Sequence, residues 1–265
     1  MATLKTGSTG PDVRELQQKL KAAGFDPGLI DGEYGNGTEA AVFAFQKSEG
    51  LLADGVAGPR TLAALNLAKP AEIPSAIPGA TVAVVSQMFP HTPIGNIKTN
   101  LPPVLESLVA ADLIETPLVL AALATIRAET EGFEPIAEGR SRFNSSPNGH
   151  PFDLYDNRKD LGNQGPPDGE RFRGRGYIQL TGRFNYGKYG EIIGLGDQLS
   201  KNPERASDPH IAAQLLAAFL KDKEVPLREA LQEQDLKAAR RLVNGGSHGL
   251  DRFSEAYTIG QRLLA

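Results

Sequence analysis

Four glutamates fall within ten positions of "AETEGFEPIAEG": Glu129, Glu131, Glu134 and Glu138. Carboxylates are the side chains from which general acids and bases are most simply made, provided two of them sit in unlike surroundings. Glu129 closes the run "TPLVLAALATIRAE", which is apolar on nearly every side, as a helix buried in a domain centre is. Burial and the negative end of a helix dipole both disfavour a charged carboxylate, as a proton donor requires. Glu138 lies nine positions on, beyond Gly132 and Pro135, where the helix cannot continue. A loop there is able to bring it opposite Glu129. Two carboxylates of different environment across a groove are the arrangement that hydrolyses glycosidic bonds. Such spacing is also common on solvated surfaces, so the rest of the chain has to decide.

The 265 residues suffice for a small and a medium domain. Apolar residues make up 40% and charged ones 23%, values of an ordinary globular protein. A net charge of −4 argues against a nucleic-acid partner, despite the arginines and aromatic residues interleaved in "RFRGRGYIQLTGRFNYGKYG". There is no cysteine, hence no disulfide, thiolate zinc site or cysteine nucleophile. The four histidines form no close pair, which argues against a zinc hydrolase, and neither a metal nor a cofactor is expected. The N-terminus lacks the apolar stretch of a signal peptide, and no segment has the length of a membrane span. Synthesis in the cytoplasm is expected, with phage-type release or non-classical export, and the chain is expected to be a monomer.

The motif Asp-Gly-x-x-Gly-x-x-Thr occurs twice, at 31–38 and 54–61. Its glycines suit turns, and Thr38 or a neighbour is placed to cap a following helix. Val13, Leu16 and Leu20 share one helical face between Pro11 and Gly24, and Val42 and Phe45 share another. These features predict a small three-helix unit over 1–67, in which Asp31 and Asp54 build turns. Pro70, Pro74 and Pro78 then predict an extended linker over 68–79. A mainly α domain follows over 80–265. Its helix starts are Thr116-Pro117, Asp208-Pro209 and Asp235, and Gly132 and Asn244-Gly245-Gly246 are its stops. Ile211, Leu215 and Phe219 form one apolar face. A long Gly-, Pro- and Asn-rich stretch over 139–176 reads as a functional surface.

Residues 4–65, with both Asp-Gly turns and "AFQKSEG", resemble the bacterial peptidoglycan-binding module. The runs "IRAETEGF", "PIAEG", "YDNRKDLGN", "RGYIQLTGRFNY" and "RRLVNGGSHGLDRF" resemble the family-19 chitinases and phage endolysins, over roughly 85–263. The second resemblance implies an inverting hydrolase of β-1,4 glycans. In it Glu129 is the general acid, Glu138 the base, and the Thr181 hydroxyl helps hold the attacking water. Gln179, Asn185 and Tyr186 would line the sugar cleft, and Asn244 and Arg252 its far wall. Ala128 stands where that family has histidine, and Glu131 where it has glycine. Glu131 and Glu134 are expected to be solvated without a role. Arg173 and Arg175 would contact sugar or pair with acids to fix their loop. Asn185 and Asn244 have the alternative of capping backbone, and Tyr186 that of core packing.

Bacterial peptidoglycan is the substrate expected from the two resemblances together. The alternatives are a chitinase and a wall-binding protein without activity. Retention of Glu129, Glu138 and Thr181 together argues against the last.

Overall fold

The structure, a computed structural model, describes residues 3–49, 51, 53–67, 75–246 and 248–264. They divide into two compact units, Met1–Ile73 and Pro74–Ala265. Pairing of extended segments among the described residues is limited to isolated bridges, so both units are helical. No described helix is long and apolar enough to cross a membrane.

The first unit holds α1 (Pro11–Ala22), α2 (Asn36–Ser48) and α3 (Pro59–Ala64). Val13, Leu16 and Leu20 meet Val42, Phe45 and Leu62 in its core, as the apolar spacing predicts. The repeated motif produces two copies of one amide clamp. Gln17 Nε2 donates to Asp31 Oδ1 (3.0 Å), Glu33 O and Thr38 Oγ1, while its Oε1 accepts from Gly32 N–H. Gln46 repeats the pattern with Asp54 Oδ1 (2.9 Å), Val56 O and Thr61 Oγ1, its Oε1 accepting from Gly55 N–H. Both glutamines are buried and so need every one of these partners. Asp31 and Asp54 also accept from the backbone two residues on, which makes them turn builders. Thr38 caps nothing: α2 starts at Asn36 behind Gly35, and the hydroxyl serves Gln17 from within the first turn.

In the second unit, residues 68–74 of the expected linker lie outside the described residues. Residues 75–79 are not extended linker, because they fold onto this unit. Ala76 N–H donates to Ile114 O (2.8 Å), and Ile77–Gly79 form a 3-10 turn. Next come α4 (Val82–Met88), α5 (Ile94–Ala110) and α6 (Thr116–Glu129). α5 continues through Pro102-Pro103, which proline propensity alone would forbid. α6 is the buried central helix, with every residue from Leu118 to Ala128 out of solvent. Thr116 does not cap it; the position before the helix is Glu115, whose carboxylate binds Arg228 instead. Nor does Gly132 end it. The helix stops at Glu129, and the left-handed residues of the exit are Glu131 (φ 50°) and Phe133 (φ 54°).

The 139–176 stretch is less irregular than its composition suggests, since it carries α7 (Asp153–Asp156) and α8 (Asp168–Arg171). Beyond it lie α9 (Arg183–Ile192), α10 (Gln198–Lys201), α11 (Pro209–Asp222), α12 (Glu224–Gln232), α13 (Leu236–Asn244) and α14 (Leu250–Leu263). Asp208 caps α11 by accepting from His210 and Ile211 N–H, and Asp235 caps α13 through Ala238 N–H. Leu215 is buried, with Ile211 and Phe219 against the same apolar cluster. Gly245 in the left-handed conformation closes α13 behind Asn244.

Candidate active site

Glu138 is the best-held carboxylate of the glutamate cluster. The Nδ2 of Asn144 (2.9 Å) and the Tyr155 hydroxyl (3.0 Å) donate to its Oε1, and Gly174 N–H (3.2 Å) donates to its Oε2. Its own N–H donates to Gly174 O (2.8 Å), next to the bridge between Ala137 and Arg175. Three donors thus converge on this carboxylate and fix its position. Burial, and then the Glu138 charge beside it, push the Tyr155 hydroxyl up to about 12, so it remains a donor.

Thr181 and Gln179 converge on the same place. A Cβ on Gly174 would lie 3.3 Å from Glu138 Oε2, 3.3 Å from Thr181 Oγ1 and 2.9 Å from Gln179 Oε1. The Thr181 hydroxyl donates to Gln179 O (2.9 Å), which leaves its oxygen lone pairs as acceptors. Asn185 stands behind it and donates from Nδ2 to Thr181 O (2.7 Å), so its amide serves the backbone that presents the hydroxyl.

Tyr186 does not line a sugar cleft. It is fully buried against Phe172, its hydroxyl accepts from Arg175 Nη1 (2.9 Å), and it donates to Arg173 O (2.8 Å). No face of the ring is left for a ligand. Nor do Arg173 and Arg175 fix their loop through acids. The partners of Arg175 are the carbonyls of Arg171 and Arg173 with the Tyr186 hydroxyl, and Arg173 donates to Glu170 O. The ion pair that does buckle the loop is Arg183–Asp168 (2.5 Å). Asp168 is buried, a condition that by itself would raise its carboxyl. The Arg183 hydrogen bonds and the Gln164 N–H overcome this and hold it below the ordinary carboxylate range.

Glu129 is built differently from Glu138. It ends α6 with its side chain 11% exposed, and its Oε1 accepts from Arg240 Nη2 at 2.7 Å. Arg240 is fully buried, and its Nε donates to His248 O (2.8 Å), where Asn244 Nδ2 also donates (3.3 Å). The sequence reading surrounded Glu129 with burial and a helix end only and missed this guanidinium, which is 111 residues away in the chain. The guanidinium thus occupies Oε1. Ala128 has a steric reason to be small. A Cβ on Gly249 would come within 3.2 Å of the Ala128 methyl, so the 249 turn lies directly on it.

Glu131 is not simply solvated. Its carboxylate joins Arg127 (2.9 Å) to Arg252 (3.3 Å), while staying half exposed. The Arg127 hydrogen bond, with both arginine charges, lowers its carboxyl below the usual range. Arg252 is therefore engaged with Glu131, and Asn244 with the backbone of the 248 turn. Glu134 is exposed. The structure thus gathers Glu138, Thr181 and Gln179 at Gly174, and Glu129 with Arg240 at the end of α6. Asn144, Tyr155, Gly174 and Arg240 were given no role from sequence, although "YDNRKDLGN" holds Tyr155 and "RRLVNGGSHGLDRF" begins at Arg240. Each acts through a contact with a residue distant from it in the chain or outside the local helical period. Among the described residues no group of three or more His, Cys, Asp and Glu comes together as a metal site.

Residues 9–65 match the family described as putative peptidoglycan binding domain. The chain is 46% identical over 56 residues to N-acetylmuramoyl-L-alanine amidase CwlM of Mycobacterium tuberculosis, 21% of this chain and 14% of that protein. It is 50% identical over 64 residues to zinc D-Ala-D-Ala carboxypeptidase of Streptomyces albus G, 22% of this chain and 24% of that one. The chain spans a quarter or less of either relative. Chitinase C from Streptomyces griseus HUT6037 shares the fold, with a TM-score of 0.51 at 22% identity over 70% of this chain and 76% of that one. The chain thus joins a small domain of the peptidoglycan-binding type to a helical domain with the fold of chitinase C.

Proposed function

We propose that the second unit is a glycoside hydrolase that cuts the β-1,4 glycan of bacterial peptidoglycan with inversion, and that the first unit holds the wall. The observation that carries this reading is the convergence of Glu138 and the Thr181 hydroxyl at Gly174, with a second carboxylate, Glu129, at the end of α6. Glu138 receives three donors and faces Thr181 across Gly174, while Glu129 is held through one oxygen by a buried arginine. Protonated Glu129 donates from Oε2 to the glycosidic oxygen as the bond to the anomeric carbon breaks. Glu138 takes a proton from a water attacking that carbon from the opposite face, with Thr181 orienting the water. Both residues then return to their starting states by exchange with solvent. The mechanism requires the two carboxyls about 6.5–9.5 Å apart, leaving room for the water.

The test is mass spectrometry of soluble fragments released from purified sacculi, with Glu129→Ala as control. New reducing ends absent from the control are expected, and the terminal sugar names the bond. Peptide fragments without new reducing ends would refute the reading and favour an amidase or peptidase, as the relatives matched over the first unit are. A chitinase is the second reading, favoured by the fold shared with chitinase C. It would be supported by cleavage of chitin oligomers with sacculi left intact.

A further inference from the structure

Three oxygens meet over the bare Cα of Gly174, and none of them has a proton to offer there. Glu138 Oε2 is a carboxylate oxygen. The Thr181 hydroxyl has spent its proton on Gln179 O. Gln179 Oε1 is fixed as an acceptor because its Nε2 donates to both Ile136 O (3.1 Å) and Gly176 O (3.0 Å), which settles the amide orientation. Gln179 is held there at φ 50°, a left-handed conformation unfavourable for glutamine, and such strain persists where the surroundings impose it. The nearest backbone donor, Gly174 N–H, is given to Glu138. Converging acceptors repel one another unless a donor lies between them.

We propose that Gln179 is a third ligand of the nucleophilic water that the reading above places with Glu138 and Thr181, rather than a sugar contact. The inference rests on the hydrolase reading above and adds to it the residues that aim the water. One water proton goes to Glu138 Oε2. The other is shared between Gln179 Oε1 and Thr181 Oγ1. A lone pair is left toward the open side, where the anomeric carbon arrives. As the new C–O bond forms, Glu138 keeps the first proton, and the leaving oxygen takes the proton of Glu129. Gly174 is glycine for this purpose: its φ is not left-handed, so alanine would meet no backbone penalty, only the three oxygens at 2.9–3.3 Å.

The experiment is steady-state hydrolysis of soluble glycan strands by the full chain, with thermal melting as a check on folding. Gly174→Ala is expected to lose on the order of 10²-fold in kcat with KM within about threefold, because the methyl displaces the water and leaves the sugar contacts alone. Gln179→Met, which removes the acceptor at similar length, is expected to show the same split, and it decides the question if Gly174→Ala does not fold. A rise in KM at unchanged kcat for Gln179→Met would return this residue to the sugar-binding wall and overturn the proposal. So would an active wild type whose Gly174→Ala keeps kcat within threefold. In a wild-type crystal that shows waters, an ordered water touching Glu138 Oε2 and Gln179 Oε1 is expected, and an empty niche would refute the proposal independently of either variant. A wild type that releases no reducing ends would overturn the hydrolase reading itself, a different failure.

Discussion

Replacing Asp168 by asparagine tests how the loop that carries the site is fastened. Asp168 Oδ2 accepts from Gln164 N–H and Arg183 Nε, both at 2.8 Å, and Oδ1 accepts from Arg183 Nη2 at 2.5 Å. An amide has only one oxygen. Whichever way it turns, its NH2 faces either the guanidinium or the Gln164 N–H, so at least one charge-assisted bond is exchanged for a donor–donor contact. Removing one partner of a fully buried pair costs about 3–5 kcal/mol. Arg183 is 35% exposed and can turn to water, which brings the expected loss to roughly 2–3 kcal/mol. For a unit of this size that lowers the melting temperature by about 5–10 °C, read by calorimetry on the second unit's transition. The pH dependence follows from the direction of the shift. The Asp168 carboxyl is lower in the folded state than in the unfolded chain, so its contribution is complete above about pH 4 and fades as pH falls through the folded value. The gap between wild type and variant should therefore be constant from pH 7 down to about 4 and then close. A gap below about 1 °C at pH 7, or one undiminished at pH 2.5, would refute the argument.

Glu129→Ala and Glu138→Ala are each expected to remove at least 10²-fold of glycan cleavage, with Glu129→Ala also less stable because it strands the fully buried Arg240, whereas Glu131→Ala keeps most of the activity. The half-exposed Glu131 pairs contribute under about 1 kcal/mol. Loss of activity in Glu131→Ala with Glu138→Ala still active would reverse the choice of base. Tyr186→Phe should cost about 1 kcal/mol in denaturant unfolding and leave KM unchanged, because the ring is fully buried. A several-fold rise in KM would contradict that. Gln46→Leu strands the Asp54 and Gly55 N–H groups and three acceptors around it. It should lower the stability of the first unit by about 2–4 kcal/mol and weaken co-sedimentation with sacculi. Cleavage of soluble glycan should stay at the wild-type rate; a matching loss there would show that the clamp does not act through the first unit alone.

Sequence alone determined whatever depends on local period and composition. The faces of α1 and α2, the all-round apolar α6, the caps at Asp208 and Asp235, and the turn-building aspartates follow from side chains a few residues apart. Those rules fail where a distant partner overrides the local preference. Thr38 is drawn from capping to Gln17, the cap position expected at Thr116 falls to Glu115, whose carboxylate goes to Arg228, α5 passes through two prolines, and Glu131 and Phe133 take the left-handed places beside a glycine. The resemblance named Glu129, Glu138, Thr181 and Gln179, but the chain's linear order carries no distances. Tertiary structure decided that Tyr186 is core, that Arg240 reaches Glu129 from the other end of the unit, and that Asn144 and Tyr155 hold Glu138. It also decided that three acceptors close on one glycine. The physical reason is the same in each case: a buried polar group must find its partner, and which partner it finds depends on how the helices pack rather than on the residues beside it in sequence.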